Sequence, residues 1–212
     1  MLRLVLLEAS LERVPASIAR HPAVVSDARR RKKKPTEIIL DDSKHHAAMK
    51  NLPNREKRGR PDIVHACLLA ALDSELNQAG QLEIFIHTIG GEIIRVSGET
   101  RIPRNYNRFV GLMEDLFRKR VIEADGVRLL EILDSSLESI ILQPTVLMRE
   151  GGEAFRPDAR TVCIGAFPHG DFDPSTLEVL ERCNARQASI GNRHYTSLYV
   201  TYKVICSYEV IL

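Results

Sequence analysis

The segment from Thr161 to Phe172 constrains the fold more than any other stretch of this chain. An apolar run ends at Gly165, a Pro-His pair follows, and Gly170 closes the turn before Asp173 and Pro174. Asp173 suits a helix N-cap, and proline suits the first helical position, where no backbone hydrogen is needed. The pattern predicts a strand, a tight loop and a helix. Such loops often bind ligands in open α/β sheets, although most of them only connect two elements.

Strand-like and helix-like segments alternate along the rest of the chain. Residues 2–7 form an apolar run without polar alternation, which is typical of a strand buried on both faces. Gly90-Gly91 separates two further runs and predicts a β-hairpin. Other strands are expected at 37–40, 127–133 and 145–148. Helices are expected at 15–34 with a break near Pro22, at 42–51, from Pro61 towards Gly80, from the arginine segment after the hairpin to about Arg120, and over 196–212. This alternation predicts an α/β fold with a mostly parallel sheet.

The composition suits one globular domain, or one domain with an appendage. With 212 residues, of which 44% are hydrophobic, the chain can bury a substantial core. Glu8 interrupts the apolar N-terminus too early for a signal peptide, and no apolar run reaches membrane-spanning length. The four cysteines are far apart and are interpreted as buried thiols of a reducing compartment. We therefore expect a soluble cytoplasmic protein with no membrane partner.

Cationic side chains are concentrated in the first part of the chain. Residues 1–120 hold seven more lysines and arginines than acidic residues, whereas residues 121–212 hold five more acidic than basic residues. Such polarity suits a protein that binds a polyanion with one region, and a solvated surface of mixed charge is the alternative. Residues 52–60 are expected to form a polar, cationic and mobile loop.

Three arginines stand close together near a tyrosine. Arg104 and Arg108 are four residues apart and are expected to share a helix face, while Arg101 lies just before that helix. Beside Tyr106 they would form a surface for phosphates and bases. A coincidental surface cluster is the other interpretation.

The motifs of several common enzyme classes are missing. The seven histidines include no pair with the spacing and carboxylate partner of a zinc hydrolase, so no metal site is predicted. Gly-x-Ser-x-Gly, phosphate-binding Gly-Lys-Ser/Thr and dinucleotide glycine motifs are absent. Three loops remain in the C-terminal half, around Glu150, at 165–170 and at 190–195, beside the arginine-rich first half. This arrangement predicts a small ligand next to a nucleic acid.

Three ordered motifs resemble a known family. They are Gly59-Arg60-Pro61-Asp62-Ile63-Val64-His65, Arg101-Ile102-Pro103-Arg104 with Arg108-Phe109-Val110-Gly111-Leu112-Met113, and Gly165-Ala166-Phe167-Pro168-His169-Gly170. Together they resemble the pseudouridine methyltransferases of ribosome biogenesis in the SPOUT class. The likeness covers nearly the whole chain, and the short N-terminal part is similar to the archaeal branch.

The resemblance implies a fold, partners and a reaction. It implies a single SPOUT methyltransferase domain over residues 1–212, with a mostly parallel sheet, a C-terminal trefoil knot and a small, hairpin-containing RNA-binding extension at about 41–110. It also implies a homodimer that binds S-adenosylmethionine in the knot loops. The implied reaction is methylation of ring nitrogen 1 of a pseudouridine in small-subunit ribosomal RNA.

Site residues follow from matching the motifs. The resemblance assigns donor contacts to the knot loops, at Glu150, Gly151, Gly165, Gly170, Ile190, Gly191, Asn192, Arg193, His194 and Tyr195. It assigns RNA contacts to Arg60, Arg101, Arg104 and Arg108. Asp62 is nominated as the catalytic carboxylate, acting as base or orienting group when the ring nitrogen loses its proton. An Arg60–Asp62 ion pair or a helix-start role is the alternative.

A second function is compatible with the same motifs. The run Arg193-His194-Tyr195-Thr196 differs from the Tyr-Pro-Leu-Ser-like run that is common in the family. The alternative interpretation is therefore an RNA-binding ribosome assembly factor whose methylation is secondary or lost.

Overall fold

One sheet of eight strands organises residues 1–211, the part of the chain that the computed structural model describes. Its strands are β1 (Leu2–Ala9), β2 (Leu82–Thr88), β3 (Ile93–Val96), β4 (Val121–Ala124), β5 (Val127–Leu133), β6 (Thr145–Ala154), β7 (Thr161–Gly165) and β8 (Arg186–Ser189). They lie in the order β4-β5-β3-β2-β1-β7-β6-β8. Five neighbouring strands of this sheet, β2, β1, β7, β6 and β8, are parallel to one another. Strands β3, β5 and β4 continue the sheet beyond β2, each antiparallel to its neighbour. The predicted α/β fold with a mostly parallel sheet is confirmed.

Strand β1 lies inside the sheet because its side chains are apolar on both faces. Leu4, Val5, Leu6 and Leu7 are fully buried, as expected for a parallel strand covered by helices on both sides. The strand pairs in parallel with β2 and with β7. The carboxyl ends of these three strands therefore open onto the same edge of the sheet.

Helices cover both faces of the sheet. They are α1 (Pro22–Arg30), α2 (Asp42–Met49), α3 (Pro61–Leu72), α4 (Glu75–Gln78), α5 (Tyr106–Lys119), α6 (Pro174–Arg182) and α7 (Ser197–Glu209). Helices α3, α5 and α7 share the larger core, which includes Leu68 and Phe109. On the opposite face, Leu180 of α6 packs in the cluster that contains Val5 of β1. Helices α1 and α2 enclose a smaller core around Val24.

Most helix starts lie where local chemistry predicts them. Pro61 is the first residue of α3, and the Asn105 side chain accepts a hydrogen bond from the Arg108 backbone N–H at the start of α5, at 3.1 Å. Pro174 begins α6 after Asp173, although the Asp173 side chain makes no capping bond. The predicted hairpin is also present, since β2 and β3 pair in antiparallel fashion across a turn in which Gly91 has a φ of 86°.

Two segments before α3 differ from their predicted structure. Residues 37–40 do not form a strand, because a 3-10 turn spans Pro35–Glu37 and only Ile39 forms an isolated bridge, to Arg13. Ile38 and Leu40 instead fill the small core beneath α1 and α2, and Ile39 packs in the larger core. The supposedly mobile loop contains a 3-10 turn over Arg55–Lys57, and Lys57 is buried. A buried carboxylate partner explains the burial of this lysine, as described below.

The C-terminal half and the arginine segment also need correction. The predicted loop after Met148 is part of β6, which absorbs the extra residues in an irregularity opposite Ala188. Strands β4 and β8, each of four residues, were not predicted because neither shows a clear apolar period. Arg104 precedes α5, so it does not share a helix face with Arg108.

Candidate active site

A cavity of about 900 Å³ lies beside the ends of β6, β7 and β8. Its walls come from Met148–Glu150 of β6, from residues 165–172 after β7 and from residues 187–200 around the end of β8. These are the three C-terminal segments in which the sequence predicted a ligand site. The cavity brings together seven predicted donor contacts, namely Glu150, Gly165, Gly170, Ile190, Arg193, His194 and Tyr195. Its volume is in the range of small-molecule sites.

Gly165 ends β7 in a position that is closely surrounded. The Ser197 hydroxyl at the start of α7 donates a hydrogen bond to the Gly165 carbonyl, at 2.6 Å. A Cβ atom added at Gly165 would lie 3.0 Å from the Phe167 ring and 3.1 Å from the Phe172 ring. These two rings pack edge to face, with centroids 5.3 Å apart, and both line the cavity. The glycine is therefore needed for the shape of this wall.

Two side-chain contacts cross the rim of the cavity. Arg149 donates to the Asp171 carboxylate, and the ring of His194 lies 2.5 Å from a Glu150 oxygen. Desolvation acts to raise the pKa of Asp171, but the Phe172 backbone N–H and the Arg149 guanidinium outweigh it and lower that pKa. Asp171 is thus an anion at neutral pH. The rim carries both signs of charge.

Three predicted donor contacts lie outside this cavity. Gly191 and Asn192 line a neighbouring cavity of about 330 Å³, together with Lys203 of α7. Gly151 lies in the irregular part of β6 with a φ of 76°, and it lines neither of these two cavities. Contact of these three residues with a donor stays a prediction.

A buried ion pair between Glu8 and Lys57 lies against the loop that follows β7. Lys57 also contacts an Asp173 carboxylate oxygen at 3.0 Å. Burial lowers the pKa of the nearby His87 imidazole, and the charges of Glu8 and Asp173 only partly oppose this effect, so the ring stays neutral. Sequence reasoning missed this cluster because its members come from distant parts of the chain. The local signal is Glu8, which directly follows the apolar run of residues 4–7 in β1.

Asp62 lies in the first turn of α3 and is bonded to Arg60. Its two carboxylate oxygens accept hydrogen bonds from Arg60 Nε and Nη2, both at 2.8 Å. Asp62 does not line the 900 Å³ cavity. Tyr106 lies nearby, and its hydroxyl donates a hydrogen bond to the Asp41 carboxylate. Burial and this carboxylate raise the pKa of Tyr106. Arg60, Asp62 and Tyr106 thus form a polar patch at the start of α3.

The other three predicted RNA-binding arginines are exposed. Arg101 and Arg104 line a separate cavity of about 980 Å³ between the end of α3 and the segment before α5. Arg104 Nη2 pairs with Asp73 at 2.8 Å, and both side chains are largely exposed. Arg108 is exposed on the first turn of α5. All three therefore present their charge to solvent.

Residues 1–211 contain neither a candidate metal site nor a helix that could span a membrane. Within residues 1–211, no group of three or more His, Cys, Asp or Glu side chains is placed to hold a metal ion. None of the helices in that range has the length and apolar character needed to cross a bilayer. Burial raises the pKa of the Cys67 thiol to about 11, which makes it unreactive. The prediction of buried thiols holds for Cys67 and Cys163, but Cys183 is only half-buried and Cys206 is exposed on α7.

The fold and the site define an α/β protein with a cavity beside its C-terminal strands. Over residues 4–209, the chain matches the model of a family described as EMG1/NEP1 methyltransferase. The chain belongs to this family, and it is therefore a methyltransferase, as the three sequence motifs predicted.

Individual relatives agree with this assignment. The chain is 54% identical over 211 residues to ribosomal RNA small subunit methyltransferase Nep1 of Archaeoglobus fulgidus, covering 97% of this chain and 94% of that protein. It is 51% identical over 186 residues to the protein of the same name from Thermococcus kodakarensis, covering 81% and 84%. A crystal structure of Archaeoglobus fulgidus Nep1 bound to S-adenosylhomocysteine superposes with a TM-score of 0.93 at 53% identity, covering 99% of this chain and 98% of that one. The predicted similarity to archaeal proteins is confirmed.

Proposed function

We propose that this protein uses S-adenosylmethionine to methylate ring nitrogen 1 of a pseudouridine in small-subunit ribosomal RNA, as a step of ribosome biogenesis in the cytoplasm. The observation that carries the proposal is the 900 Å³ cavity, where the segments predicted to bind the donor converge. Membership of a methyltransferase family and the S-adenosylhomocysteine complex of the Archaeoglobus fulgidus protein support the donor. The names of the relatives support the RNA substrate.

The residues of the cavity fit this donor. Met148, Ile190 and Val200 provide apolar walls, and Gly165 leaves the end of β7 open to close approach. The charged rim, with Arg149 and Asp171, suits an amino-acid moiety that carries both charges. S-adenosylmethionine supplies an electrophilic methyl group when bound. The task of the protein is then to align the acceptor nitrogen with that group and to keep water out.

We assign RNA binding to the extension at about 41–110, through Arg60, Arg101, Arg104 and Arg108. Exposed guanidiniums bind phosphates in a bidentate manner, and a base that reacts inside a folded RNA must leave its stack. The two bonds from Arg60 to Asp62 favour an orienting role for this carboxylate. In that role Asp62 holds the guanidinium towards the RNA, and proton abstraction by Asp62 is the alternative.

A homodimer is part of the proposal. Tyr195, just before α7, and Tyr199 and Tyr202 on α7 are 36%, 44% and 50% exposed, and the first two stack with centroids 5.2 Å apart. Exposed aromatic side chains are enriched in protein interfaces, so we assign this face to a second copy of the chain. A sedimentation equilibrium mass of one chain at micromolar concentration would contradict the assignment.

The chain path supports the predicted trefoil knot. After β7 the chain runs through α6 to the outer strand β8, and α7 then returns to pack against α3 and β7. Such a return beside an inner strand is one condition for a knotted C-terminus, which requires in addition that α7 passes through a loop of the chain. The knot itself stays a prediction.

The RNA-binding assembly factor is the second candidate. It is favoured by the segment Arg193–Thr196, whose sequence differs from the run that is common in the family. In this segment His194 contacts Glu150 at 2.5 Å, at the mouth of the cavity. In this alternative the donor binds weakly or not at all.

Calorimetric titration with S-adenosylhomocysteine tests the donor site. Gly165→Val should weaken binding by about tenfold or more, because overpacking costs about 1–3 kcal/mol and the added methyl groups push on Phe167 and Phe172. Gly111→Val on α5 is the matched control, since an added Cβ there meets no atom within 4 Å. The donor-site assignment fails if both variants bind as tightly as the wild type. Undetectable binding by the wild type would favour the assembly factor.

A further inference from the structure

Lys57 is a buried cation that contacts the wall of the proposed donor cavity. Its side chain is 4% exposed, and its ammonium pairs with the Glu8 carboxylate and with Asp173 Oδ1 at 3.0 Å. The same ammonium donates to the Asp171 carbonyl at 2.8 Å and lies 4.6 Å from the centroid of the Phe167 ring. One side chain thus contacts three residues of the loop that forms one side of the cavity. A cation shielded from water binds such partners more strongly than an exposed one.

Glu8 completes this connection from the end of β1. It is 2% exposed and has a left-handed φ of 47°, which is unfavourable for a residue with a Cβ. One carboxylate oxygen accepts from Lys57, and the other accepts from the Asp173 backbone N–H at 2.7 Å. The carboxylate therefore joins the lysine to the first turn of α6. Its backbone conformation is maintained by these two partners.

Lys57 belongs to the same short segment as the RNA-facing Arg60. The backbone N–H of Arg60 donates to the Ser10 hydroxyl at 2.8 Å, and the Gly59 carbonyl accepts from the Asp42 N–H at 2.8 Å. These bonds hold the Arg60 end of the segment, and the ion pair with Glu8 holds the Lys57 end. The segment therefore has little freedom to move one residue without the other. Lys57 contacts the cavity wall at Asp171, and only two residues, Arg58 and Gly59, separate Lys57 from Arg60.

We propose that Lys57 is a positioning residue that couples donor binding to RNA binding. This inference rests on the proposed function, because it takes the cavity as the donor site and Arg60 as an RNA contact. A donor that orders the loop at 167–173 also fixes Lys57, and the segment then presents Arg60 in a defined orientation. Coupling of this kind is reciprocal, so RNA must raise donor affinity by the same factor as the donor raises RNA affinity.

The test compares Lys57→Met with Arg58→Met. Arg58 is the next residue of the same segment and is also largely buried, but its guanidinium bonds to Glu12, at 2.6 Å, and to the Pro53 carbonyl instead of to the cavity loop. The dissociation constant of a small-subunit RNA fragment is measured with and without saturating S-adenosylhomocysteine, and that of S-adenosylhomocysteine with and without the RNA. For the wild type we expect each ligand to tighten binding of the other by about fivefold or more.

In Lys57→Met this factor should fall to about one, and donor affinity should fall about tenfold, whereas Arg58→Met should keep both values. Lys57→Met leaves the Glu8 charge buried without a partner, which can destabilise the fold. The double variant Glu8→Gln with Lys57→Met removes both charges of the pair, and it should lose the coupling as well. Wild-type coupling in the lysine variants, or an equal loss in Arg58→Met, would overturn the inference. If the wild type itself binds neither ligand, the proposed function fails, which is a different result.

Discussion

At the scale of single residues, Asp62 illustrates how a contact decides between two roles. A general base must reach the proton that it removes, and general-base catalysis contributes about 100-fold or more. Asp62 is instead occupied by two hydrogen bonds from Arg60, in a pair whose side chains are 42% and 48% exposed. Exposed ion pairs of this kind contribute about 0.2–1 kcal/mol. Losing an orienting contact should therefore have a small effect.

We predict that Asp62→Asn lowers the methylation rate at saturating substrates by about two- to fivefold and keeps the shape of the pH–rate profile. Single-turnover measurements from pH 5 to 9, a range of about four units around neutrality, provide the comparison. Asp73→Asn, which removes the partner of Arg104, is the matched control. A loss of about 100-fold together with disappearance of the acid limb would show that Asp62 is the base.

Lys57 shows why part of the site was not predictable. It lies in a run of charged residues between Asn54 and Arg60, and local composition there is typical of a mobile loop. Its partner Glu8 is 49 residues away, and only the parallel pairing of β1 with β7 brings that carboxylate next to the loop after Gly165. Propensity and spacing report on neighbours in the chain, so a buried ion pair of this kind is found only in three dimensions.

At the scale of elements, helix α2 contains a titratable contact with α1. The ring of His45 is fully buried, its Nδ1 accepts from the Asp41 backbone N–H at 3.1 Å, and its Nε2 lies 3.5 Å from Asp27 Oδ2. Burial lowers its pKa below the ordinary value of 6.5, with Asp27 and Asp41 opposing the effect and Lys44 adding to it. The folded protein therefore keeps this imidazole neutral at pH values where the unfolded chain protonates it.

Acidification is predicted to weaken the packing of α1 on α2 through this histidine. A base with a depressed folded pKa stabilises the fold fully above its unfolded pKa, and the contribution is lost as the pH falls below about 6.5. Urea unfolding from pH 7.5 to 5.5, about one unit on either side of that value, should show a smaller decline of the unfolding free energy in His45→Gln than in the wild type. His46→Gln, at an exposed position of the same helix, should keep the wild-type decline. Equal slopes in wild type and His45→Gln would contradict the prediction.

Local signals predicted elements well where they were strong and failed where tertiary contacts dominate. Pro61 marks the start of α3 as predicted, and the diglycine marks the hairpin of β2 and β3. The predicted start of α5 is too early, because its N-cap Asn105 follows Arg104. Strand β8 has the sequence Arg-Gln-Ala-Ser, in which only Ala188 is buried, so it carries no apolar pattern. Its pairing with β6 also converts the predicted glycine loop into a strand. The strand that closes the candidate site was therefore invisible at the level of sequence.

At the scale of the whole molecule, the basic first part of the chain faces RNA in our proposal. The three exposed arginines around α5 should each neutralise a phosphate and release counterions, with a contribution to the salt slope of about 0.7–0.9 per contact. Because this contribution depends on the number of phosphates that are neutralised, it is measured as the salt dependence of RNA affinity.

We predict that Arg104→Ala weakens RNA binding and reduces the slope of log affinity against log salt by about 0.7–0.9. Fluorescence anisotropy of a labelled small-subunit RNA fragment over a series of KCl concentrations gives this slope. Arg182→Ala serves as the control, because Arg182 is similarly exposed on α6 and lies opposite Glu138. An unchanged slope in Arg104→Ala, or an equal change in Arg182→Ala, would argue against the assigned RNA surface.

Acceptor chemistry provides the most direct test of the central claim. In uridine, ring nitrogen 1 is bonded to the ribose, whereas in pseudouridine the ribose is attached to carbon and ring nitrogen 1 carries a free N–H. We incubate the protein and S-adenosylmethionine with small-subunit RNA that contains pseudouridine, digest the RNA and identify the methylated nucleosides by mass spectrometry. Our account predicts one methyl group on the base of a pseudouridine and none when the same RNA contains uridine in its place. Absence of any methylated nucleoside, or a methyl group on ribose or on another base, would contradict it.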